Sequence, residues 1–284
     1  MTGVKATIHG AISIVNAIAT GKGATLGIDP IVETIIEKKA GSGVSLEFDH
    51  RKASSKLVTR TIEKVVPKNQ LKKTKLQVSI RSEIPTGYGL KSSSAISSVV
   101  ALACSKLFKT KATDFQILCA SIDASIETKV SITGAFDDAC ACYFGGIIVT
   151  DNLKRKIIRS EKAPADLRVV VFVPRSRKRG DVKSLKNLVN IFENAWNFAK
   201  NNDYWNAMIL NGYATSSILG SDPKIISDLI RNGAIGSSVS GNGPAIAAVS
   251  KKNNVSKIKK VFDSLDGQIS ICNVNNKKAE VHDL

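Results

Sequence analysis

Three stretches of this 284-residue chain carry residue types that could do chemistry. The first is Ile84-Pro85-Thr86-Gly87-Tyr88-Gly89-Leu90-Lys91-Ser92-Ser93-Ser94-Ala95. Its glycines let backbone approach a ligand closely. Its serines open a helical pattern in which Ile96, Val99, Val100, Ala103 and Leu107 share a face. The first amides of a helix have no partner inside it, and the macrodipole adds about half a positive charge at that end. The stretch is therefore a cradle for an anion, phosphate above all. It is not a Walker loop, because no stretch places four residues between a glycine and Gly-Lys-Ser/Thr. Taken by itself, the loop also reads as a plain turn capped by serine.

The second stretch is Thr133-Gly134-Ala135-Phe136-Asp137-Asp138, followed by a short apolar run to Phe144 and then Gly145-Gly146. Carboxylates that cap a helix are the ordinary reading. The third runs from Gly233-Ala234 to Ser240-Gly241-Asn242-Gly243-Pro244, between two apolar segments, where hairpin glycines would be ordinary. A fourth feature is cationic: Arg175-Ser176-Arg177-Lys178-Arg179 follows the buried-strand pattern Leu167–Pro174. Guanidinium groups there could hold an anionic substrate bidentately, or form a solvated basic loop.

The elements that must position these residues read as follows. Val4–His9 is a first strand. Ile31–Glu37 and Val44–Phe48 are strands with Gly41-Ser42-Gly43 as the turn between them. Ser54–Val66 is a helix stopped by Pro67, and Leu76–Ser82 is the strand entering the first loop. A helix over Asp114–Lys129 carries Glu127 near its end. Beyond a boundary near Asp151–Arg155, helical patterns run over 181–200, 203–219 and 223–231, with strands around the third stretch. A helix over 254–265 and a strand over 268–274 follow. The pattern is α+β in two domains, residues 1–152 and 153–284, the second an α/β sandwich.

Composition narrows the classes. The chain is 43% hydrophobic and only 5% aromatic, so the core is aliphatic. No apolar run reaches the roughly 18 residues of a membrane span, and the N-terminus lacks a secretory pattern, so a cytoplasmic protein without a membrane partner is expected. Five cysteines without Cys-x-x-Cys and three histidines give little material for zinc. The net charge of +17 attracts anions. Its basic residues do not alternate with aromatics, which favours a solvated surface over a nucleic-acid groove. A nucleic-acid binder stays as the non-enzymatic alternative.

The first loop, Pro85-x-Gly87-x-Gly89-Leu90-x-Ser92-Ser93-Ser94-Ala95, resembles the ATP loop of the galacto-, homoserine-, mevalonate- and phosphomevalonate kinases, the GHMP kinases. Lys91 departs from the small residue usual there. The aspartate stretch and the third stretch resemble that superfamily's later motifs, in the same order and over almost the full length. The resemblance implies a two-domain fold with an N-terminal mixed α/β domain and a C-terminal ferredoxin-like α/β sandwich. It implies ATP and Mg²⁺ as cofactors, with residues Pro85 to Ala95 holding the nucleotide. It implies Asp137 as catalytic base with Asp138 the second choice, and Ser93 and Glu127 as magnesium ligands. Lys5, five residues before Gly10, would pair with the catalytic aspartate. Two carboxylates of unequal duty suit phosphoryl transfer, where holding metal and activating the acceptor are separate tasks.

Gly10 to Ala24, with Gly89–Ala95 and Thr133–Ala139, is further similar to the archaeal type of shikimate kinase, where a lysine at position 91 is at home. That likeness implies phosphorylation of the shikimate 3-hydroxyl in aromatic amino-acid synthesis through chorismate. The small-molecule acceptor carries a carboxylate, for which Lys22, Arg175 and Arg177 are the candidate grips. Asn16, Asp138, Ser240 and Gly241 complete the expected substrate contacts. Homoserine and mevalonate remain alternative acceptors, and monomer and homodimer remain alternative states.

Overall fold

A long antiparallel ribbon, β1 (Gly3–Val15) with β2 (Lys22–Lys39), is the spine of the larger sheet. The structure is a computed structural model that describes residues 3–49 and 54–284. Small and aliphatic residues of the ribbon are buried along most of its length, so it can be covered on both faces. β3 (Gly43–Phe48) and β4 (Lys75–Ser82) extend the sheet beyond β2. β4 alternates exposed and buried residues, the period of a strand with one wet face.

Helices α1 (Ser55–Val65) and α2 (Lys68–Leu71) connect β3 to β4. Ser54 caps α1 by accepting the Leu57 amide, and Pro67 ends it. The expected turn about Gly41–Gly43 links β2 to β3. β3 pairs in parallel with β4, not with β2, and parallel neighbours require just such a helical crossover. Helices α3 (Ser92–Leu107), α4 (Asp114–Glu127) and α5 (Phe136–Phe144) follow. α3 is buried on almost every side, as its run of small and aliphatic residues allows. β5 (Ile147–Asp151) returns to β2, and β6 (Lys156–Glu161) pairs with β5.

The second sheet begins at β7 (Leu167–Pro174). A 3-10 segment (Val182–Leu188) and α6 (Val189–Lys200) occupy the region expected as one helix. Then come α7 (Tyr204–Leu219), α8 (Pro223–Arg231), β8 (Ala234–Val239), β9 (Ile246–Lys251), α9 (Val255–Phe262) and β10 (Gly267–Asn273). The antiparallel order β10-β7-β9-β8 places the fourth strand beside the first and the third beside the second. That is the order of a ferredoxin-like sandwich. The chain then returns: β11 (Glu280–Asp283) pairs with β1 at the edge of the first sheet. One sheet therefore takes residues 3–161 and the tail, and the other takes 167–273. An aliphatic core runs continuously between them, from Ile8, Ile12 and Leu26 through Val149 to Val169, Val171 and Val249. Among the described residues, no helix is long and apolar enough to cross a membrane.

Candidate active site

The loop between β4 and α3 turns on Gly87 (φ +86°) and Gly89 (φ +85°). Gly89 is packed so tightly on the third stretch that a Cβ there would overlap the Ser240 carbonyl oxygen. α3 then starts with Lys91 as its N-cap, itself left-handed at φ 66° and ψ 18°. Among the described residues no side chain caps this helix, so the amides of Ser92, Ser93 and Ser94 have neither an intrahelical nor a side-chain acceptor. These three residues line a cleft of about 220 Å³ together with Gly87, Gly89, Leu90 and Lys91. Pro85, Thr86, Tyr88 and Ala95 complete the loop without lining the cleft.

Asp137 and Asp138 enter the same cleft from the first turn of α5. Their environments differ. Asp137 is buried, and Asn152 Nδ2 donates to its Oδ1 at 2.7 Å while Thr25 Oγ1 donates to its Oδ2 at 3.2 Å. Asn152 is itself fixed: its Oδ1 accepts the Asp137 amide at 3.1 Å and the Thr150 hydroxyl at 2.6 Å. Asp138 keeps 15% of its side chain exposed, and Lys91 Nζ stands 2.8 Å from its Oδ1. Burial first, and the neighbouring Asp137 charge second, push the Asp138 carboxyl up to about 7, against the opposing pull of Lys91. A carboxyl poised there is suited to taking a proton near neutrality.

The third stretch closes the cleft. Gly241 and Asn242 line it, and Asn16 Nδ2 donates to the Gly241 carbonyl at 2.7 Å. Ser240 is fully buried; its hydroxyl donates to the Gly89 carbonyl at 2.8 Å and accepts the Ser13 amide at 3.2 Å. Its expected contact with substrate is thus replaced by a clasp between two loops. Asn16 lines the cleft beside Ala17 and Ile18, with Val130 and Ile132 as further apolar walls.

Several expected positions lie elsewhere. Lys5 forms an ion pair with Glu33 at 2.6 Å. β1 does not turn at Gly10 but runs on to Val15, so Lys5 is eight residues, roughly 26 Å of strand, from the cleft-lining Ser13. The cation beside the aspartates is Lys91 instead. Glu127 ends α4 and is held by Arg60 and Lys64 at 2.5 Å each. Those bonds, Lys64 first, hold its carboxyl below the usual range. Glu127 lines a separate surface groove with Ser55, Arg60 and Glu63, while Ser125 and Val130 on either side of it in sequence line the cleft. Lys22 grips both Glu193 oxygens at 2.9 and 3.0 Å and stacks over Trp196. Strand alternation explains it: Gly23 and Thr25 of β2 meet Asp137, so Lys22 points to the other face. Arg175 is exposed and pairs with Asp266 at 3.4 Å, and Arg177 lies over the Tyr88 ring at 5.0 Å. Among the described residues the guanidinium that lines the cleft is Arg179, whose Nη1 donates to the Gly243 carbonyl at 3.3 Å.

Ser13, Thr25, Asn152 and Arg179 were not among the residues singled out from sequence. Only Arg179 left a signal there, as the last member of the basic cluster after β7.

An uncapped helix N-terminus facing an acidic pair across one cleft, on this pair of sheets, defines a small-molecule kinase of the GHMP type. The sequence profile of the GHMP kinases N terminal domain matches residues 56–146. Solved structures agree on the fold. The homoserine kinase of Cytophaga hutchinsonii superposes with a TM-score of 0.76 at 18% identity, covering 99% of this chain and 97% of its own. The mevalonate kinase of Methanococcus jannaschii gives 0.74 at 16%, covering 96% and 98%. Closer relatives exist in sequence. A shikimate kinase of Methanobrevibacter smithii is 35% identical over 277 residues, 94% of this chain and 95% of its own. One from Methanosarcina acetivorans is 34% identical over 282 residues, 96% and 95%. The chain belongs to this family, the archaeal shikimate kinases within the GHMP kinases.

Proposed function

We propose that the protein transfers the terminal phosphoryl group of ATP to the 3-hydroxyl of shikimate, giving shikimate 3-phosphate in the cytoplasm. The observation that carries the reading is that the open amides of Ser92–Ser94 and the carboxylates of Asp137 and Asp138 line one cleft. Phosphoryl transfer asks little covalent chemistry of a protein; it asks for position and for compensation of charge. The amides and the α3 dipole supply the charge compensation, and the Gly87–Gly89 turn lets backbone come close to the phosphates.

The donors in the cleft fit Mg²⁺, which prefers hard oxygen ligands and keeps several waters. Ser93 Oγ would hold it together with phosphate oxygens, and the ion when bound neutralises charge on the transferred group. Asp138 takes the proton of the acceptor hydroxyl, because it is the carboxyl with a raised affinity for a proton and an open side. Asp137, with both oxygens engaged by Asn152 and Thr25, fixes the start of α5 beside Asp138. Arg179 grips the acceptor carboxylate, since Lys22 and Arg175 are committed to Glu193 and Asp266. The apolar side chains of Ile18, Val130 and Ile132 suit the carbon ring of such an acceptor.

The choice of shikimate rests on the names of the relatives at about a third identity. The homoserine and mevalonate kinases, at 18% and 16%, share the fold alone. Phosphorus NMR of the product tests the reading. A phosphate resonance coupled to the proton on carbon 3 of shikimate is expected; phosphate on another oxygen, or free phosphate only, would refute it.

A further inference from the structure

Lys91, the residue at which the loop passes into α3, has an unusual geometry. It is a buried lysine held at positive φ, a backbone region costly for residues with a side chain. Its ammonium is drawn to a junction of three elements. Asp138 of α5 stands 2.8 Å away, and Ser13 Oγ of β1 accepts from it at 2.7 Å. A Cβ built on Gly241, in the turn after β8, would lie 3.0 Å from it. Ser13 Oγ also accepts the Gly241 amide at 3.0 Å, so the junction ties these parts together. An ammonium has three N–H donors. Among the described residues two are engaged, by Asp138 and Ser13, and Lys91 lines the cleft at the foot of the open α3 amides.

We propose that Lys91 couples the two halves of the site: the ammonium that holds Asp138 also takes an oxygen of the nucleotide's phosphate tail, so that nucleotide and acceptor tighten each other's binding. This rests on the kinase reading above. With the ammonium shared, Asp138 loses part of its counter-charge and becomes a stronger acceptor for the substrate hydroxyl. Without it, the phosphates and the carboxylate would meet with no cation between them. Coupling between sites is reciprocal, so each ligand must change the other's affinity by the same factor, and typical factors are roughly 5–150.

Isothermal titration calorimetry on the full chain tests this without turnover. Shikimate is titrated with and without saturating Mg²⁺ and a non-hydrolysable ATP analogue, and the analogue with and without shikimate. In the wild type each Kd should fall at least about five-fold when the other ligand is present, by one common factor. In Lys91→Met both ligands still bind but the factor falls below about two; in Lys91→Arg it is retained in part. Asp138→Asn removes the other end of the bond and should also abolish the factor, which keeps the test valid if Lys91→Met does not fold. Independent binding in the wild type, or an undiminished factor in Lys91→Met or Asp138→Asn, overturns the coupling while leaving the kinase reading intact. Failure of the wild type to bind shikimate under either condition overturns both.

Discussion

Asp137 lies directly against Gly23, and nothing larger than hydrogen fits between them: a Cβ on Gly23 would overlap the Asp137 carboxylate. Gly23 is on β2 and Asp137 is on α5, so the glycine sets how closely the helix start can settle on the sheet. Gly23→Ala should push Asp137 and Asp138 out of register while leaving the sheet intact. A displacement of about 1 Å at a reacting centre costs on the order of 10²-fold in rate. The expected outcome is a kcat loss of that order with an unchanged circular dichroism spectrum.

Asp138→Asn should lower kcat by roughly 10²–10⁴-fold, the usual share of a general base. The wild-type kcat/KM should rise with pH through about 7, since the protonated carboxyl cannot accept a proton, and the variant should lack that limb. Stability carries the opposite sign. The folded pKa lies above the usual 3.8, so the folded state favours the protonated form. That contribution is complete below the unfolded value and is lost as pH rises through about 7. Urea midpoints between pH 4 and 8 should therefore decline more steeply in the wild type than in Asp138→Asn.

Arg179→Ala should raise the KM for the acceptor with a smaller effect on the KM for ATP. A charge-assisted hydrogen bond is worth roughly 1.5–3 kcal/mol, or about 10–100-fold. Arg175→Ala, removing an exposed pair with Asp266, should change neither KM by more than about two-fold. Steady-state kinetics with each substrate varied in turn checks both.

Lys5→Met and Glu127→Gln should leave kcat within about two-fold of the wild type. Lys5→Met removes one partly exposed surface ion pair and Glu127→Gln removes two, and exposed pairs of this kind contribute little. A large kcat loss with retained folding in either variant would return that residue to the active site.

The contrast between Lys91 and Lys5 marks what was legible in the sequence. The phosphate loop, the aspartate pair and the Ser240–Pro244 turn are local patterns, each built from neighbouring residues with special backbone needs, and their order along the chain carried the two-sheet fold. Lys5 and Glu127 were placed by counting from a landmark, and counting fails when a strand runs past its landmark or a helix turns its end outward. Lys22 failed by one residue, which on a strand means the opposite face. Ser13, Thr25 and Asn152 act through partners 78 to 228, 112 and 15 positions away, at separations no local pattern records. The parallel pairing of β3 with β4 was hidden for the same reason, since register between distant strands is settled by packing.

The central claim is tested most directly by a coupled ADP-release assay on the purified protein, with ATP and Mg²⁺ fixed and shikimate, homoserine and mevalonate offered in turn. Shikimate-dependent ADP release, at least about 10²-fold faster in kcat/KM than with either other acceptor, is the predicted result, because a site built for one alcohol's polar groups leaves them unpaired with another. ADP release that is independent of shikimate, or faster with homoserine or mevalonate, would contradict it.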